Sequence, residues 1–397
     1  MSLAFGRHFL SIPGPSVMPD RVLNAMHRDA PNIYEGDLTR MVAGLYEDLK
    51  RVARTTEGRV AVYAANGHGA WEAAVSNLFS RGDKAVALDC GRFAEGWAMA
   101  ARQMGVDCQV VATGDRGPVP PETVEALLRA DVNHEIKAVI VVQVDTASSA
   151  RNDIPAIRKA IDAAGHPALF LVDCIASLGT EVFEMDAWGV DVMVAGSQKG
   201  LMTPPGLSFA FVGPKAWEVR GDLVTAYWDW KPRAAPEMFY QRFGGTAPTH
   251  LLFGLREALT MLVEEEGVER AWRRQRILAD ATRAAVEAWG ANGGPVELNV
   301  QDEDARANAV TTILTRGFPP AALRELCESQ MGLTLGIGLG RYAGTSFRIG
   351  HMGWLNPPMI LGTLGAVETA FDVMGVSHGA GVSAAAQTIA AGLAEAA

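Results

Sequence analysis

Short runs of apolar, β-branched residues alternate with segments of helical periodicity between residues 60 and 213. Several runs are apolar at every position, which is typical of strands covered by helices on both sides. The predicted strands are Val60–Ala65, Lys84–Cys90, Asp107–Thr113, Lys137–Val144, Ala168–Cys174, Asp191–Ser197 and Leu207–Gly213. This alternation predicts an α/β fold with a mostly parallel, seven-stranded sheet. The last two strands are joined by only a short turn, which favours an antiparallel pair because a parallel crossover needs about a dozen residues or more.

The pattern changes after residue 250. Leu251–Glu266 and Val268–Trp289 are predicted as long amphipathic helices, separated by Gly267. The β-runs beyond them have fewer helices in between: Val296–Val300, Asn308–Arg316, Leu333–Gly340 and Ser346–Gly350. They predict a smaller α+β domain with an antiparallel sheet. The expected organisation is an N-terminal segment (1–20) that packs with the small domain, a large domain (21–255) and a small C-terminal domain (256–397).

Composition excludes several classes of protein. Of the 397 residues, 49% are hydrophobic and 20% are charged, as in compact soluble enzymes. The net charge of −10 argues against nucleic-acid binding, and no apolar stretch is long enough to suggest a membrane span. The N-terminus has no secretory signal pattern, and the dispersed cysteines Cys90, Cys108, Cys174 and Cys327 suggest a reducing compartment. We therefore expect a cytoplasmic enzyme.

Two residues that each end an apolar run carry the most specific chemical signal. Asp173 ends one predicted strand, and Lys199 follows another, 26 residues later, in Gly196-Ser197-Gln198-Lys199. A lysine amine can form a Schiff base with the aldehyde of pyridoxal phosphate, and a buried aspartate keeps the pyridine nitrogen of that cofactor protonated. Either residue alone is ordinary, since strand-end aspartates are usually turn residues. Their spacing predicts a pyridoxal-phosphate site.

Asn66-Gly67-His68-Gly69 comes after the first predicted strand and leads into a helix. The free N–H groups and the positive dipole end of a helix N-terminus bind anions, which predicts the cradle for the cofactor phosphate. A plain βα turn is the alternative. His68 has no partner at metal-ligand spacing, and no metal is expected. Phe93 comes just after the next strand end, where an aromatic ring can stack on the pyridine, although a core position is its ordinary alternative.

Arg348 lies inside an apolar strand, Ser346–Gly350. A buried arginine needs an anionic partner, and a planar guanidinium matches a carboxylate with two parallel hydrogen bonds. An internal salt bridge is one possibility, and capture of a substrate carboxylate is the other. The nearby Gly336-x-Gly338-x-Gly340 lacks the third glycine at the required spacing and a helix after it, so it is not a dinucleotide-binding motif.

With Asp173, Lys199 and Arg348 in this order, the chain resembles the class V aminotransferases, and within them the alanine–glyoxylate and serine–glyoxylate aminotransferases. The resemblance runs nearly end to end. Its motifs are Gly6-Arg7-His8, Pro13-Gly14-Pro15, Gly67-x-Gly69-Ala70-Trp71-Glu72, Met185-Asp186-Ala187-Trp188-Gly189-Val190-Asp191, Gly196-Ser197-Gln198-Lys199, Arg348-Ile349-Gly350-His351 and Gly379-Ala380-Gly381-Val382. It implies the fold type I of pyridoxal-phosphate enzymes and a homodimer.

The resemblance also implies residue roles. Lys199 would carry the cofactor and move the substrate proton, with Asp173 on the pyridine nitrogen. The other cofactor contacts would be Phe93 on the ring, Thr146 near its hydroxyl, and Asn66, Gly67, His68, Gln198 and the partner subunit's Thr246 at the phosphate. The substrate-binding residues would be Arg348, Gly14, Tyr34 and Glu35, of which the Tyr34-Glu35 pair would act across the dimer.

Two positions depart from the family pattern. Phe243 stands where relatives usually have a tyrosine, which removes a hydroxyl from the phosphate site. Glu35 stands where serine–glyoxylate enzymes tend to have an arginine, which leaves the amino donor open. An acidic residue there also resembles the pyridoxamine–pyruvate aminotransferases, although the phosphate turn in this chain is complete.

The expected function is transfer of the amino group of a small L-amino acid, serine or alanine, to glyoxylate by a ping-pong mechanism. A pyridoxamine–pyruvate enzyme or another small-donor aminotransferase is the main alternative. A cysteine desulfurase or lyase needs a mobile nucleophilic cysteine, and the only candidate, Cys327, falls in a helical pattern. A non-catalytic scaffold is disfavoured because Lys199, Asp173 and Arg348 are all present. Neither nucleic acid nor membrane is expected as a partner.

Overall fold

A computed structural model of the protein describes residues 2–112, 114 and 116–395. It contains a seven-stranded sheet with the order β2-β8-β7-β6-β5-β3-β4. The strands are β2 (Arg59–Tyr63), β3 (Lys84–Leu88), β4 (Asp107–Val111), β5 (Ile136–Val142), β6 (Leu169–Asp173), β7 (Val192–Gly196) and β8 (Ser208–Val212). All seven predicted strands are present, although Thr113, the last residue predicted for β4, lies outside the described residues.

Strand direction places the carboxyl ends of all the strands from β2 to β7 at one edge of this sheet. Strands β3 to β7 run parallel, and β8 is antiparallel to both β7 and β2, as predicted for β7 and β8. Because β2 and β7 both oppose β8, they point the same way. The carboxyl ends of β2, β3, β5, β6 and β7 therefore meet at a single edge, where ligands bind in open α/β sheets.

Helices cover both faces of the large sheet, as the uniformly apolar strands predict. The helices of this region are α1 (Asp20–Met26), α2 (Asp37–Ala53), α3 (Gly67–Leu78), α4 (Arg92–Gln103), α5 (Pro121–Ala130), α6 (Ile154–Ala163), α7 (Pro214–Trp217), α8 (Trp230–Ala234) and α9 (Thr249–Leu259). Side chains alternate along β5, where Val139 and Val141 enter one apolar layer with α2, α5, α6 and α9. Ala138 and Ile140 enter the opposite layer with α3 and α4.

A second sheet has the order β1-β11-β12-β10-β9. Its strands are β1 (Phe9–Ser11), β9 (Val296–Leu298), β10 (Val310–Thr315), β11 (Leu333–Ile337) and β12 (Ser346–Gly350). Strands β9 to β12 pair antiparallel, as predicted. The prediction omitted β1, which joins the edge parallel to β11, with Phe9 opposite Leu333. The N-terminal segment thus becomes part of the small sheet, while the three domain boundaries remain a prediction.

The remaining helices are α10 (Val268–Gly290), α11 (Pro320–Met331), α12 (Pro357–Met374) and α13 (Gly381–Ala394). The prediction of one continuous α-helix over Leu251–Glu266 was wrong in its second half. The α-helix α9 ends at Leu259, and the backbone continues as a π-helix over Thr260–Glu266. Among the described residues, no helix combines the length and apolar character needed to cross a membrane.

Candidate active site

A cavity of about 290 Å³ opens at the edge where the five strand ends meet. It brings together residues separated by more than a hundred positions in sequence. The predicted site residues among its lining are Gly14, Asn66, Gly67, His68, Phe93, Thr146, Asp173, Gln198 and Lys199. Each lies at or just beyond the end of a strand, except Gly14, which lies in the N-terminal segment beyond β1. The edge of the parallel sheet therefore assembles most of the predicted site.

Lys199 lies three residues beyond β7 with its side chain buried in this cavity. Its Nζ donates a hydrogen bond to the Pro13 carbonyl. A Cβ on Gly14, whose φ is +113°, would overlap the Lys199 amine, so a glycine is required at that close approach. Burial, and then the charge of Arg348, lower the Lys199 pKa to about 8, against the opposing effect of Asp173 and Asp145. The amine can therefore gain and lose a proton near neutral pH.

Asp173, the last residue of β6, is a buried carboxylate held by neutral donors. Its Oδ2 accepts a hydrogen bond from the Trp71 indole N–H at 2.7 Å, and its Oδ1 accepts one from the Ile175 N–H at 2.6 Å. Burial raises the pKa of Asp173 to about 7, although both hydrogen bonds oppose that rise. A cationic group in the cavity would therefore stabilise the ionised carboxylate, as the sequence prediction requires.

Helix α3 points its N-terminus at the cavity. The Asn66 side chain caps this helix, because its Oδ1 accepts hydrogen bonds from the His68 and Gly69 N–H groups. The Gly67 N–H has no acceptor among the described residues and is free for an anion. Burial and the charge of Arg92 lower the pKa of His68, which favours a neutral ring. The Gln198 amide also lines the cavity, and its Oε1 is buried with no hydrogen-bond partner in the described part of the chain.

Phe93 and Thr146 enter the cavity from neighbouring loops. Phe93 lies in the first turn of α4, half-buried, with its ring edge-on to that of Trp71 at a centroid distance of 6.4 Å. Thr146 is buried four residues beyond β5, and its carbonyl oxygen accepts a hydrogen bond from Arg348. Both residues thus line the same cavity, and their contacts with the cofactor stay a prediction.

Arg348, in the middle of β12, is only 6% exposed. Its Nε donates to the Ile337 carbonyl at 2.6 Å and its Nη1 to the Thr146 carbonyl at 2.7 Å. No carboxylate of the described residues forms an ion pair with it, and Nη2 has no acceptor there. Burial lowers the pKa of Arg348 to about 10, and Asp145 opposes this. The guanidinium is held in place with hydrogen-bonding capacity to spare, as an anion-binding arginine would be.

Four of the predicted site residues do not line the cavity of their own chain. Arg348 is connected to the lining through its hydrogen bond to the Thr146 carbonyl, whereas Tyr34, Glu35 and Thr246 lie elsewhere on the chain. Tyr34 is 86% exposed, and Glu35 lies beside Arg28 and Asp37 at a separate surface depression. Thr246 is exposed in the loop after Phe243. The contacts of these residues across a dimer remain a prediction. Phe243 itself is 2% exposed and packs edge-on against Phe239 in the core.

Sequence inspection missed three contributors to the site. They are the Trp71 indole, the Pro13 carbonyl and the Asp145 carboxylate. Asp145 carried a usable signal, since it lies just beyond the end of β5 much as Asp173 ends β6. The Trp71 signal was weaker: an aromatic residue one turn into the helix that begins at the phosphate turn.

The profile of the family described as Aminotransferase class-V matches residues 8–340. This match spans most of the chain and includes the five strand ends that form the cavity. The chain belongs to the class V aminotransferases. Arg348 lies beyond the matched residues, and its role in substrate binding stays a prediction.

Individual relatives extend the similarity to nearly the whole chain of this class V aminotransferase. It is 41% identical to the serine–glyoxylate aminotransferase of Methylorubrum extorquens, over 96% of this chain and 95% of the relative. It is 35% identical to the L-aspartate–glyoxylate aminotransferase of Paracoccus denitrificans, over 94% of each chain. The crystal structure of pyridoxamine–pyruvate aminotransferase from Mesorhizobium loti superposes with a TM-score of 0.88 at 25% identity, covering 98% of this chain and 100% of that one.

Pyridoxal phosphate is the cofactor of this aminotransferase. The cavity fits that group on three independent observations. The Lys199 amine is buried with a lowered pKa, and Asp173 is a buried carboxylate that a cation would stabilise. At the other end of the cavity, the Gly67 N–H is an unused donor at a helix N-terminus, and the Gln198 side chain lines the cavity there.

Proposed function

We propose that this enzyme transfers the amino group of a small L-amino acid, serine or alanine, to glyoxylate in two half-reactions at one site. The carrying observation is the buried Arg348 guanidinium, which is held by two carbonyl groups and has no carboxylate partner among the described residues. Amino donor and keto acceptor share one feature, a carboxylate next to the reacting carbon. One guanidinium can therefore bind both in turn.

When bound, pyridoxal phosphate supplies the aldehyde that takes up the amino group and the ring that draws electrons from the substrate. The residues proposed to hold it are Asn66, Gly67, His68 and Gln198 at the phosphate, Phe93 on the ring, Thr146 near the ring hydroxyl and Asp173 at the pyridine nitrogen. Thr246 of a second subunit would complete the phosphate site of a homodimer.

Lys199 is the proposed proton carrier. Its pKa of about 8 lies far closer to neutral pH than that of a free lysine, which suits a group that accepts a proton in one step and returns it in the next. General acid–base catalysis of this kind contributes about 10²–10⁴-fold to a rate. By binding the substrate carboxylate, Arg348 would hold the substrate's reacting carbon close to that amine.

Two relatives support glyoxylate as acceptor, the serine–glyoxylate aminotransferase of Methylorubrum extorquens and the L-aspartate–glyoxylate aminotransferase of Paracoccus denitrificans. They differ in amino donor, serine in one and L-aspartate in the other. We favour serine and alanine because Glu35 would add a negative charge if it reaches the substrate across a dimer, and close like charges cost several kcal/mol. A cysteine desulfurase is disfavoured because Cys327 is buried in α11, where burial raises its thiol pKa to about 12.

The test is a panel of donors with two acceptors. The specificity constant kcat/KM is measured for serine, alanine, aspartate, glutamate and pyridoxamine, each with glyoxylate and with pyruvate. Serine and alanine with glyoxylate should be best. Pyridoxamine with pyruvate as the best pair would instead make the enzyme a pyridoxamine–pyruvate aminotransferase.

Replacing Glu35 tests the reason for the donor preference. Glu35→Arg should raise kcat/KM for aspartate relative to serine by about tenfold, because a repulsive group becomes one that pairs with a second carboxylate. Glu122→Arg, at an exposed position on α5, makes the same charge change away from the site and should leave that ratio unchanged. Aspartate as the best donor of the wild type would overturn both the preference and the role of Glu35.

A further inference from the structure

Asp145 is a fully buried carboxylate between two loops of the active site. Its Oδ2 accepts hydrogen bonds from the Phe93 and Ala94 N–H groups, at 2.7 and 3.3 Å. Its Oδ1 accepts from the Ala147 and Ser148 N–H groups, at 2.8 and 3.4 Å. One side chain thus joins the first turn of α4 to the loop after β5.

Helix α4 depends on this carboxylate for its N-terminal cap. The capping position is Gly91, which has no side chain to accept hydrogen bonds from the first turn. Asp145 supplies the acceptor from a neighbouring loop, and a negative charge there also complements the helix dipole. A Cβ on Gly91 would overlap the Asp145 carboxylate, so the missing cap and the buried acid occupy the same space.

The helix turn and the loop that Asp145 joins each contribute a residue to the cavity. On one side, Phe93 belongs to the capped turn of α4. On the other, Thr146 is the next residue in the chain, and its carbonyl accepts the Nη1 hydrogen bond of Arg348 at 2.7 Å. The same turn is tied to the small sheet, because the Thr312 hydroxyl donates to the Ala147 carbonyl at 3.0 Å. The positions of Phe93 and Arg348 therefore both depend on Asp145.

We propose that Asp145 is a positioning residue that aligns Phe93 for the cofactor ring and, through the Thr146 carbonyl, Arg348 for the substrate carboxylate. This inference rests on the proposed function. Asp145 does not itself need to touch cofactor or substrate. Its charge serves the site as well, since it is the carboxylate whose field favours the charged form of the buried Arg348.

The experiment compares Asp145→Asn with Asp191→Asn. Asp191 is a matched control, because it is also a buried carboxylate that accepts a main-chain hydrogen bond, from the Phe170 N–H at 2.7 Å. Its donor Phe170 does not line the cavity, whereas the Asp145 donor Phe93 does. Both variants should lower Tm. Only Asp145→Asn should weaken binding of pyridoxal phosphate to the cofactor-free chain, by about tenfold or more, as measured by quenching of tryptophan fluorescence.

Asp145→Asn should also raise KM for donor and acceptor together, whereas Asp191→Asn should change neither. A double variant tests whether Asp145 affects cofactor binding through Phe93. In a Phe93→Ala background, Asp145→Asn should add little further loss of cofactor affinity. Gly91→Ala supplies a second perturbation that displaces the carboxylate without removing it. Gly91→Ala should also weaken cofactor binding. If Asp145→Asn does not fold, this variant tests whether Asp145 positions the site.

Asp145→Asn could lower Tm as Asp191→Asn does and still bind the cofactor and both substrates normally. That outcome would overturn the inference and make Asp145 a structural cap. Full additivity with Phe93→Ala would overturn the route through that ring. Cofactor binding is measured without any amino donor, so these outcomes are separate from the donor panel. A wild-type enzyme that binds cofactor but does not use glyoxylate would contradict only the proposed function.

Discussion

At the level of single residues, two buried arginines show how a binding group differs from a structural one. Arg233 is 1% exposed, and its Nε, Nη1 and Nη2 all donate to main-chain carbonyls of Val62, Tyr227 or Arg242. Arg348 is similarly enclosed, yet its Nη2 has no acceptor in the described part of the chain. Every nitrogen of the Arg233 guanidinium already donates to the main chain, whereas Nη2 of Arg348 remains available for a substrate carboxylate.

Arg348→Leu should therefore raise KM for the amino donor and the keto acceptor alike. Truncating one side of a buried charge pair costs about 2–5 kcal/mol, which corresponds to roughly 30-fold or more in kcat/KM for each substrate. Arg348→Lys should recover part of this loss, because it restores the charge without the planar fork. Steady-state kinetics with each substrate varied in turn provides the measurement. A change confined to one substrate would refute a shared carboxylate site.

Asp173 makes stability depend on pH in a predictable direction. In the cofactor-free chain its folded-state pKa is raised to about 7 from an unfolded value near 4. The folded chain thus holds a proton that the unfolded chain has lost, and this stability is present below about pH 4 and disappears as the pH rises to about 7.

Asp173→Asn removes that dependence. Relative to wild type, the cofactor-free variant should gain free energy of unfolding as the pH rises from about 4 to 7, by up to about 4 kcal/mol. Urea unfolding at several pH values measures it, and a difference that is constant across this range would contradict the raised pKa. With cofactor bound, the variant should instead lose cofactor affinity and rate, since breaking a buried charge pair costs about 3–5 kcal/mol.

Among the secondary-structure elements, α3 is capped by Asn66, which stabilises the helix and also positions its first turn at the cavity. The Asn66 cap satisfies two main-chain N–H groups of the first turn, and it places the free Gly67 N–H at the cavity. Helix α6 has the same kind of cap without a site: Asp153 accepts a hydrogen bond from the Ala156 N–H and does not line the cavity.

Asn66→Ala and Asp153→Ala should thus cost similar stability, about 1 kcal/mol each. Only Asn66→Ala should weaken binding of pyridoxal phosphate, because a frayed first turn no longer presents its N–H groups to the phosphate. Thermal unfolding and titration of the cofactor-free chains separate the two effects. Equal cofactor affinity in both variants would show that α3 does not bind the phosphate.

Across the molecule as a whole, the N-terminal segment connects the small sheet to the catalytic lysine. Strand β1 pairs with β11, and five residues later the Ser16 N–H and hydroxyl donate to the carbonyls of Gln198 and Lys199, at 2.9 and 2.7 Å. A single subunit thus supplies Lys199, Asp173 and Arg348. Thr246 remains exposed on its surface, which is compatible with a contact to a second subunit.

Mixing subunits tests that contact. If Thr246 acts across a homodimer, a heterodimer of Lys199→Ala and Thr246→Ala chains has one site with both lesions and one with neither. Activity should then recover after mixing and refolding, given an impaired Thr246→Ala homodimer. Lys199→Ala mixed with Arg348→Leu is the control and should show no recovery, because those residues share a chain. A Thr246→Ala homodimer with full activity would exclude the proposed role.

Local sequence was enough to identify the strands of the large sheet and the residues next to their carboxyl ends. Most of these strands are nearly continuous apolar runs, which are a local signal because a strand buried on both faces has few polar positions. Parallel strands that end together then bring Asn66, Phe93, Thr146, Asp173 and Lys199 to one edge, whatever lies between them. The three-residue strand β1 was too short for any periodic pattern, and its pairing with β11 was missed.

The groups that support those residues are set by tertiary packing. The Trp71 indole reaches Asp173 across 102 positions, and Arg348 reaches the Thr146 carbonyl across 202. No local pattern encodes such contacts, because they depend on how helices and two sheets pack. The same holds for Asp145, whose four N–H donors come from the first turn of α4 and from the loop after β5. Chemical identity was thus readable from residue type and spacing, whereas pKa values and alignment depended on burial and long-range hydrogen bonds.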